Sequence, residues 1–329
     1  MIPEQKKASR IQQKLIILAM LLASIEMSCT PTTIDVPVGS AKTTFELAAE
    51  EFPTSPNHRT PQTETPLDVH LHLPLIQHTT RETAIWHATP GLSWQWELSS
   101  EQPSIAVEAQ VYDVDLYVDQ TLLDQLKQRG IKLICYISVG SWEEWRPDAD
   151  QFPPEVLGKD YAGWQGEKWL DIRQIDKLAP IMQGRLDLCA AKGFDAVEPD
   201  NMEVTGNDSG FPITVEDEQR YALWLAEQAH QRHLAIGMKN TVHLVSHLLP
   251  YFEFMITEDC FAQGWCEQAS PFIAQGKAIF AAEYTDEWTP SQFQSQVCPQ
   301  AQAGNFSAIL KNRSLDAWRI TCPPAQEAR

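Results

Sequence analysis

The sequence predicts an α/β protein of the (β/α)8 class, a TIM barrel, and three observations carry that reading. Eight short β-rich runs follow one another between Trp94 and Lys311, several of them apolar throughout. Helical patterns alternate with them, which implies a parallel sheet covered by helices. The units occupy about 235 residues, near the ~250 of a usual barrel. An open doubly wound sheet would carry a Gly-rich first turn, and none is present.

In chain order, Trp94–Leu98 reads as the first strand and Ala109–Val114 as the second. Asp124–Arg129 makes a helix that stops at Gly130, a residue free to take the left-handed backbone of a helix end. Lys132–Ser138 is a continuous apolar strand. A helix over Lys177–Lys192 ends at Gly193 and hands over to the strand Phe194–Glu198. Asp217–Arg232 is a helix and Leu234–Lys239 a strand. Glu253–Glu258, Lys277–Glu283 and Asn305–Lys311 complete the eight.

Residues 1–28 read as a secretory signal peptide. Lys6, Lys7, Arg10 and Lys14 precede a short apolar stretch, Leu15–Ile25, then small residues and Cys29. Cys29 follows Ser28 as a lipidated cysteine would, although Glu26 stands where an apolar residue is usual. A lipid there would hold the protein on a membrane surface without spanning it. Residues 29–89 are rich in Pro, Thr, Ser and Glu and read as a linker, leaving 90–322 for the barrel. No apolar run reaches the roughly 20 residues of a membrane span. The expectation is an exported protein, secreted or lipid-anchored at the cell envelope.

Seven cysteines then divide into one for lipid and six for an oxidising compartment. Cys260 and Cys266 bracket a short loop, Cys298 and Cys322 the last segment, and each pair is assigned a disulfide. Cys135 and Cys189 either pair or stay as two buried thiols. No C-x-x-C spacing supports a zinc ribbon or a thioredoxin-like site. Lys+Arg 25 against Asp+Glu 44 gives a net charge of -19, which excludes nucleic acid as a partner. It suits a neutral or cationic one, or simply a soluble surface.

Barrel active sites form where strands end on the C-terminal face. Those positions hold Asp113, Asp115, Ser138, Gly140, Glu198, Asp200, Asn201, Lys239, Asn240, Glu258, Glu283 and Lys311. Trp94, Trp96, Trp142, Trp145 and Trp164 fall near the same rim, with Trp142 and Trp145 spaced to share a helical face. Carboxylates and amides suit sugar hydroxyls, and aromatic rings suit the apolar faces of sugars. A polar cup of this composition points to carbohydrate.

The segments Trp94–Leu98, Cys135–Ser141, Trp142–Asp148, Gly166–Asp171, Gly193–Asn201, Lys239–Asn240, Glu258–Cys260 and Leu315–Arg319 resemble, in order, motifs of glycoside hydrolase family 114, the endo-α-1,4-polygalactosaminidases. The resemblance runs from about Trp86 to Cys322. It implies a (β/α)8 barrel that cleaves α-1,4-linked galactosamine polymers, endo-acting and retaining. It places the catalytic pair on Asp200, as nucleophile, and Glu258, as general acid/base. Glu258 lies among Phe254, Ile256 and Phe261, so burial is expected to raise its pKa. Glu198 is the rival for either role. Asp113, Asp115, Trp94, Tyr136, Glu198, Asn201, Lys239, Asn240 and Glu283 are the expected substrate-binding residues. The chain departs from the family pattern at Met202–Gly206, where an Asp-Gly-Tyr-like turn is common.

Two other readings compete. Asp68–His72 resembles the His-x-His of metal-dependent amidohydrolase barrels, but it falls in the linker. His243 and His247 lack the Glu of a His-Glu-x-x-His site. A barrel that kept its sugar cup and lost turnover is the second, and the presence of both carboxylates counts against it. No metal and no cofactor are expected, and the protein is expected to be a monomer.

Overall fold

The computed structural model describes residues 84–323; the expected signal peptide, Cys29, most of the linker and the Asp68–His72 motif lie outside them. The barrel strands are β1 (Trp94–Glu97), β2 (Val111–Asp115), β3 (Lys132–Ser138), β7 (Ala196–Asp200), β8 (Ala235–Lys239), β9 (Phe254–Glu258), β10 (Ile279–Tyr284) and β11 (Ser307–Lys311). They pair in that order and all in parallel, and a short antiparallel strand, β12 (Arg319–Thr321), follows β11. Between β1 and β11, Trp94 Nε1 donates to the Ser307 carbonyl at 2.8 Å and Leu98 N to the Leu315 carbonyl at 3.0 Å. The sheet is barrel-shaped, as the sequence predicts.

Side chains alternate along each strand, so one parity fills the barrel and the other meets the outer layer. Trp94, Trp96, Val111, Ile134, Ala196, Ala235, Phe254, Ile256, Phe280, Ala282 and Ile309 form the interior cluster. Leu133, Cys135, Ile137, Val197, Ile236 and Met255 face the helices.

Three helices reach full length: α1 (Gln120–Gln128), α2 (Ile175–Lys192) and α3 (Val215–Gln231). Asp119 caps α1 by accepting from Thr121 N at 2.7 Å. Thr214 and Asp217 close a capping box on α3, which starts it two residues ahead of the sequence expectation. After β8 and β9 the chain makes short helical segments, and after β10 the segments Pro290–Gln292, Phe293–Val297 and Cys298–Ala303 follow one another without a break. Pro250, Pro271, Pro290 and Pro299 each stand in the first turn of one of these segments, where the N–H would have no intrahelical partner anyway, and α2 carries Pro180 in its interior.

Two features were not legible. A three-stranded antiparallel sheet, β4 (Ser141–Glu143), β5 (Leu157–Asp160) and β6 (Glu167–Leu170), stands between β3 and α2 in the order β4-β6-β5. Trp142 is therefore in a strand, and no helical face joins it to Trp145, which is 53% exposed. The fourth barrel strand lies two residues later than Phe194–Glu198. A shift of two preserves the facing of every side chain, so Glu198 and Asp200 still point inward.

The cysteines form three disulfides. Cys260–Cys266 and Cys298–Cys322 join as expected, and Cys135–Cys189 is the third, with Cα atoms 6.0 Å apart. That last bridge ties β3 to α2, and the antiparallel sheet lies within the loop it closes.

Candidate active site

At the C-terminal end of the barrel one ammonium organises the inward side chains. Lys239, 1% exposed at the end of β8, places Nζ 2.6 Å from Asp200 Oδ1, 3.1 Å from Glu258 Oε2 and 3.1 Å from Glu198 Oε1. It also lies over the Trp96 ring, 4.9 Å from its centroid. Asp200, at the end of β7, takes a second hydrogen bond from the Tyr136 hydroxyl on β3, at 3.0 Å. Glu258, at the end of β9, accepts from Asn240 Nδ2 at 3.1 Å and from the Tyr284 hydroxyl. Asn240 Oδ1 in turn accepts from Glu258 N at 2.9 Å, so one amide fixes both ends of the residue.

This donor set reverses the expectation for Glu258. Burial does push its carboxyl up, but Lys239, the Tyr284 hydroxyl, Arg313 and Asn240 together hold it down to about 2. Arg313 stacks on Tyr284, 3.7 Å from the ring centroid. The apolar neighbours in the sequence were real; the donors arriving from other strands outweigh them.

Beneath lies a second pair. Asp113, on β2, is fully buried, and neither carboxyl oxygen has an N–H or O–H donor from another group. Burial first, then the facing Glu198, raises its pKa well above the usual range. Glu198 is lifted to about 7 by burial, against the pull of Lys239, and accepts from Trp96 Nε1 at 3.0 Å. Two carboxyls in one dry site share a proton, because both cannot ionise there.

Six expected site residues thus share one network: Asp200, Glu258, Lys239, Asn240, Tyr136 and Glu198. Others sit elsewhere. Asp113 is sealed below the cup, and Trp94 packs between Trp96 and Phe280 in the barrel core, so neither offers a surface to sugar. Asp115 is occupied by Arg146 at 2.6 Å. Asn201 turns from Asp200 and donates to Ser138 Oγ and Ser141 Oγ, at 3.0 and 3.1 Å. There the loops after β3 and β7 touch: a Cβ on Gly140 would stand 1.7 Å from the Asn201 carbonyl oxygen, so only glycine fits. Glu283 faces outward, accepting from Phe261 N, Ala262 N and Trp288 Nε1.

The inward group on β10 is Tyr284, which the sequence reading missed. Phe280 and Ala282 share its parity and fill the barrel, a signal that selects Tyr284 over Glu283. Glu203, Tyr161 and Arg313 were also missed, because all three come from loops whose path no periodicity records. Cys260, Cys266 and Glu283 are the one group of metal-ligand spacing among the described residues, and the two sulfurs are bonded to each other. His230 and His243 each pair with a different glutamate, Glu253 and Glu218.

Known proteins resemble this chain in sequence and in fold. The profile of glycoside-hydrolase family GH114 matches residues 76–327. The crystal structure of Aspergillus fumigatus Ega3 in complex with galactosamine aligns at 35% identity and TM-score 0.69, covering 73% of this chain and 98% of that one. The glycoside hydrolase domain of PelA from Pseudomonas aeruginosa shares the fold, with TM-score 0.55 and 14% identity over 71% of this chain and 99% of that one. No curated protein matches the sequence. A family profile that matches residues 76–327, together with a relative of 35% identity aligned over 98% of its length, establishes that the chain belongs to glycoside hydrolase family GH114.

Proposed function

We propose that the protein is an exported, retaining endo-glycosidase of α-1,4-linked galactosamine polymers, with Asp200 as nucleophile and Glu258 as general acid/base. One observation carries the reaction type. Asp200 Oδ1 and Glu258 Oε2 touch the same nitrogen at 2.6 and 3.1 Å. Those oxygens therefore stand less than about 6 Å apart, short of the about 6.5–9.5 Å of inversion and compatible with the ~5–5.5 Å of retention. The likeness to a structure holding galactosamine supports the sugar.

Asp200 attacks the anomeric carbon while Glu258 protonates the departing oxygen; Glu258 then deprotonates the water that releases the sugar. Tyr136 and Lys239 fix the Asp200 carboxylate for attack. At rest Glu258 is ionised, the state it needs as base. The first step needs it protonated, so this reading carries a kcat/KM that climbs as pH falls below neutral.

The three disulfides fit an oxidising, extracytoplasmic compartment. Export through residues 1–28, a linker over 29–89, lipid on Cys29 and a monomeric state belong to the same proposal. The mass of the mature N-terminus tests the first and third.

The deciding experiment gives the full chain α-1,4-galactosamine oligomers, free and N-acetylated, and follows products by mass spectrometry. Cleavage is expected, and near-normal turnover by both Asp200→Asn and Glu258→Gln would sink the assignment. Azide added to Glu258→Ala should restore turnover and yield the α-azide, whereas a β-azide would exchange the two roles. Binding without cleavage would leave a sugar-binding barrel.

A further inference from the structure

Asn240 carries a second carboxylate on the amide that holds Glu258. Its Nδ2 donates to Glu258 Oε2 at 3.1 Å and to Glu203 Oε1 at 3.3 Å. Glu203 stands three residues beyond Asp200, in the loop over the same cleft, and is partly exposed. Its second oxygen, Oε2, has no hydrogen-bond partner. No Lys or Arg among the described residues pairs with it, and Lys239 is already shared by Asp200, Glu198 and Glu258.

Tyr161 follows β5 in the β5–β6 hairpin. Its ring stacks on Trp169 with centroids 4.2 Å apart, and its hydroxyl bonds no protein group among the described residues. Burial, and after it Glu203, Asp200 and Glu258, pushes the Tyr161 phenol up. Burial, then Asp200, lifts Glu203 to about 7. Lys239 draws it back down, but that ammonium makes its ion pairs with Asp200, Glu198 and Glu258, so Glu203 has no ion pair of its own among the described residues. An ammonium supplies both the charge and up to three donors, and an acetamido group supplies neither the charge nor the fork of N–H bonds.

We propose that Glu203 is a specificity residue that receives the ammonium of an unacetylated amino sugar beside Asp200 and Glu258, with the Tyr161 hydroxyl on a neighbouring sugar oxygen. This rests on the reading of the cleft as a glycosidic site and specifies the sugar form it selects. Specificity here is a difference between two substrates, so a ratio measures it.

The full chain, as wild type, Glu203→Gln and Glu203→Asp, is assayed on free and N-acetylated oligomers with kcat and KM read separately. In Glu203→Gln the preference for the free amine should fall about tenfold or more, the loss of one charge-assisted hydrogen bond, and the change should sit in KM. Glu203→Asp should keep part of the preference. An unchanged ratio, or a loss confined to kcat, overturns the proposal. If the wild type cleaves neither oligomer, calorimetric binding of galactosamine against galactose still decides. A preference that Glu203→Gln abolishes supports the ammonium contact while the hydrolytic reading fails; equal wild-type affinities overturn the contact itself.

Discussion

Asp200 and Glu258 stand one pleat above Glu198 and Asp113 on the inner wall of the same barrel, and the two layers show what depth does to one functional group. The upper side chains are 17% and 28% exposed and collect donors from Tyr136, Tyr284, Asn240 and Lys239. The lower pair is fully buried, and burial pushes both of its carboxyls up. Two residues along a strand is about 6.6 Å. Over that distance carboxylates pass from partly exposed groups rich in donors to fully buried ones, and what changes is the supply of donors.

The sharpest break comes from the same substitution made in each layer. Asp200→Asn and Glu258→Gln should each lower kcat by about 100- to 10,000-fold, the usual worth of a catalytic carboxyl. Asp113→Asn should cost activity far less, because an amide N–H replaces the shared proton facing Glu198. Steady-state kinetics on all three variants checks this, and equal losses would erase the distinction between layers.

Stability against pH separates the layers with opposite signs. Glu198 rises from its ordinary 4.5 to about 7 in the folded barrel, so its contribution is full below 4.5 and is lost as pH climbs through about 7. Glu258 falls from 4.5 to about 2, so its contribution is full above 4.5 and is lost as pH falls through about 2. Burial also lifts Glu167 and Glu283 to about 7, and they add to the neutral-side loss. Thermal melts should therefore weaken from about pH 5 to about pH 8, by on the order of 2–4 °C for each kcal/mol lost. Glu198→Gln should flatten that slope, and a slope left intact would contradict the shared proton.

The smallest effect concerns the outermost charges. A chain of net charge -19 should attract a cationic oligomer, so kcat/KM should drop several-fold as salt rises from about 10 mM to about 150 mM, where the screening length shrinks from ~30 to ~8 Å. N-acetylated oligomers should show little of this, since they carry no charge to steer.

Most of the barrel was legible because strands announce themselves locally. Val111–Asp115, Lys132–Ser138 and Phe254–Glu258 are apolar runs closed by a polar residue, and that closing residue marks the rim. Asp200, Glu258, Lys239 and Asn240 follow from that pattern, whereas Tyr136 lies inside its strand and entered with the family resemblance. Glu283 shows its limit: taking the last polar residue of a strand without counting its parity selects the outward side chain over Tyr284. The β4–β6 sheet was missed because its strands are three or four residues long and their pairing is set by the neighbouring sheet.

By itself the sequence misplaced Asp113 and Glu283, but it determined the order of the eight strands, two of the three disulfides and the place of Asp200 and Glu258 at strand ends on the C-terminal face. These depend on local periodicity and spacing, which a linear chain displays. Only the tertiary structure decided that Cys135 pairs with Cys189, that Lys239 lies among three carboxylates, that Glu258 is held ionised and that Asp113 is not. Charge state depends on what crosses the barrel from other strands, since donors and dielectric act through space and leave no trace in the neighbouring sequence.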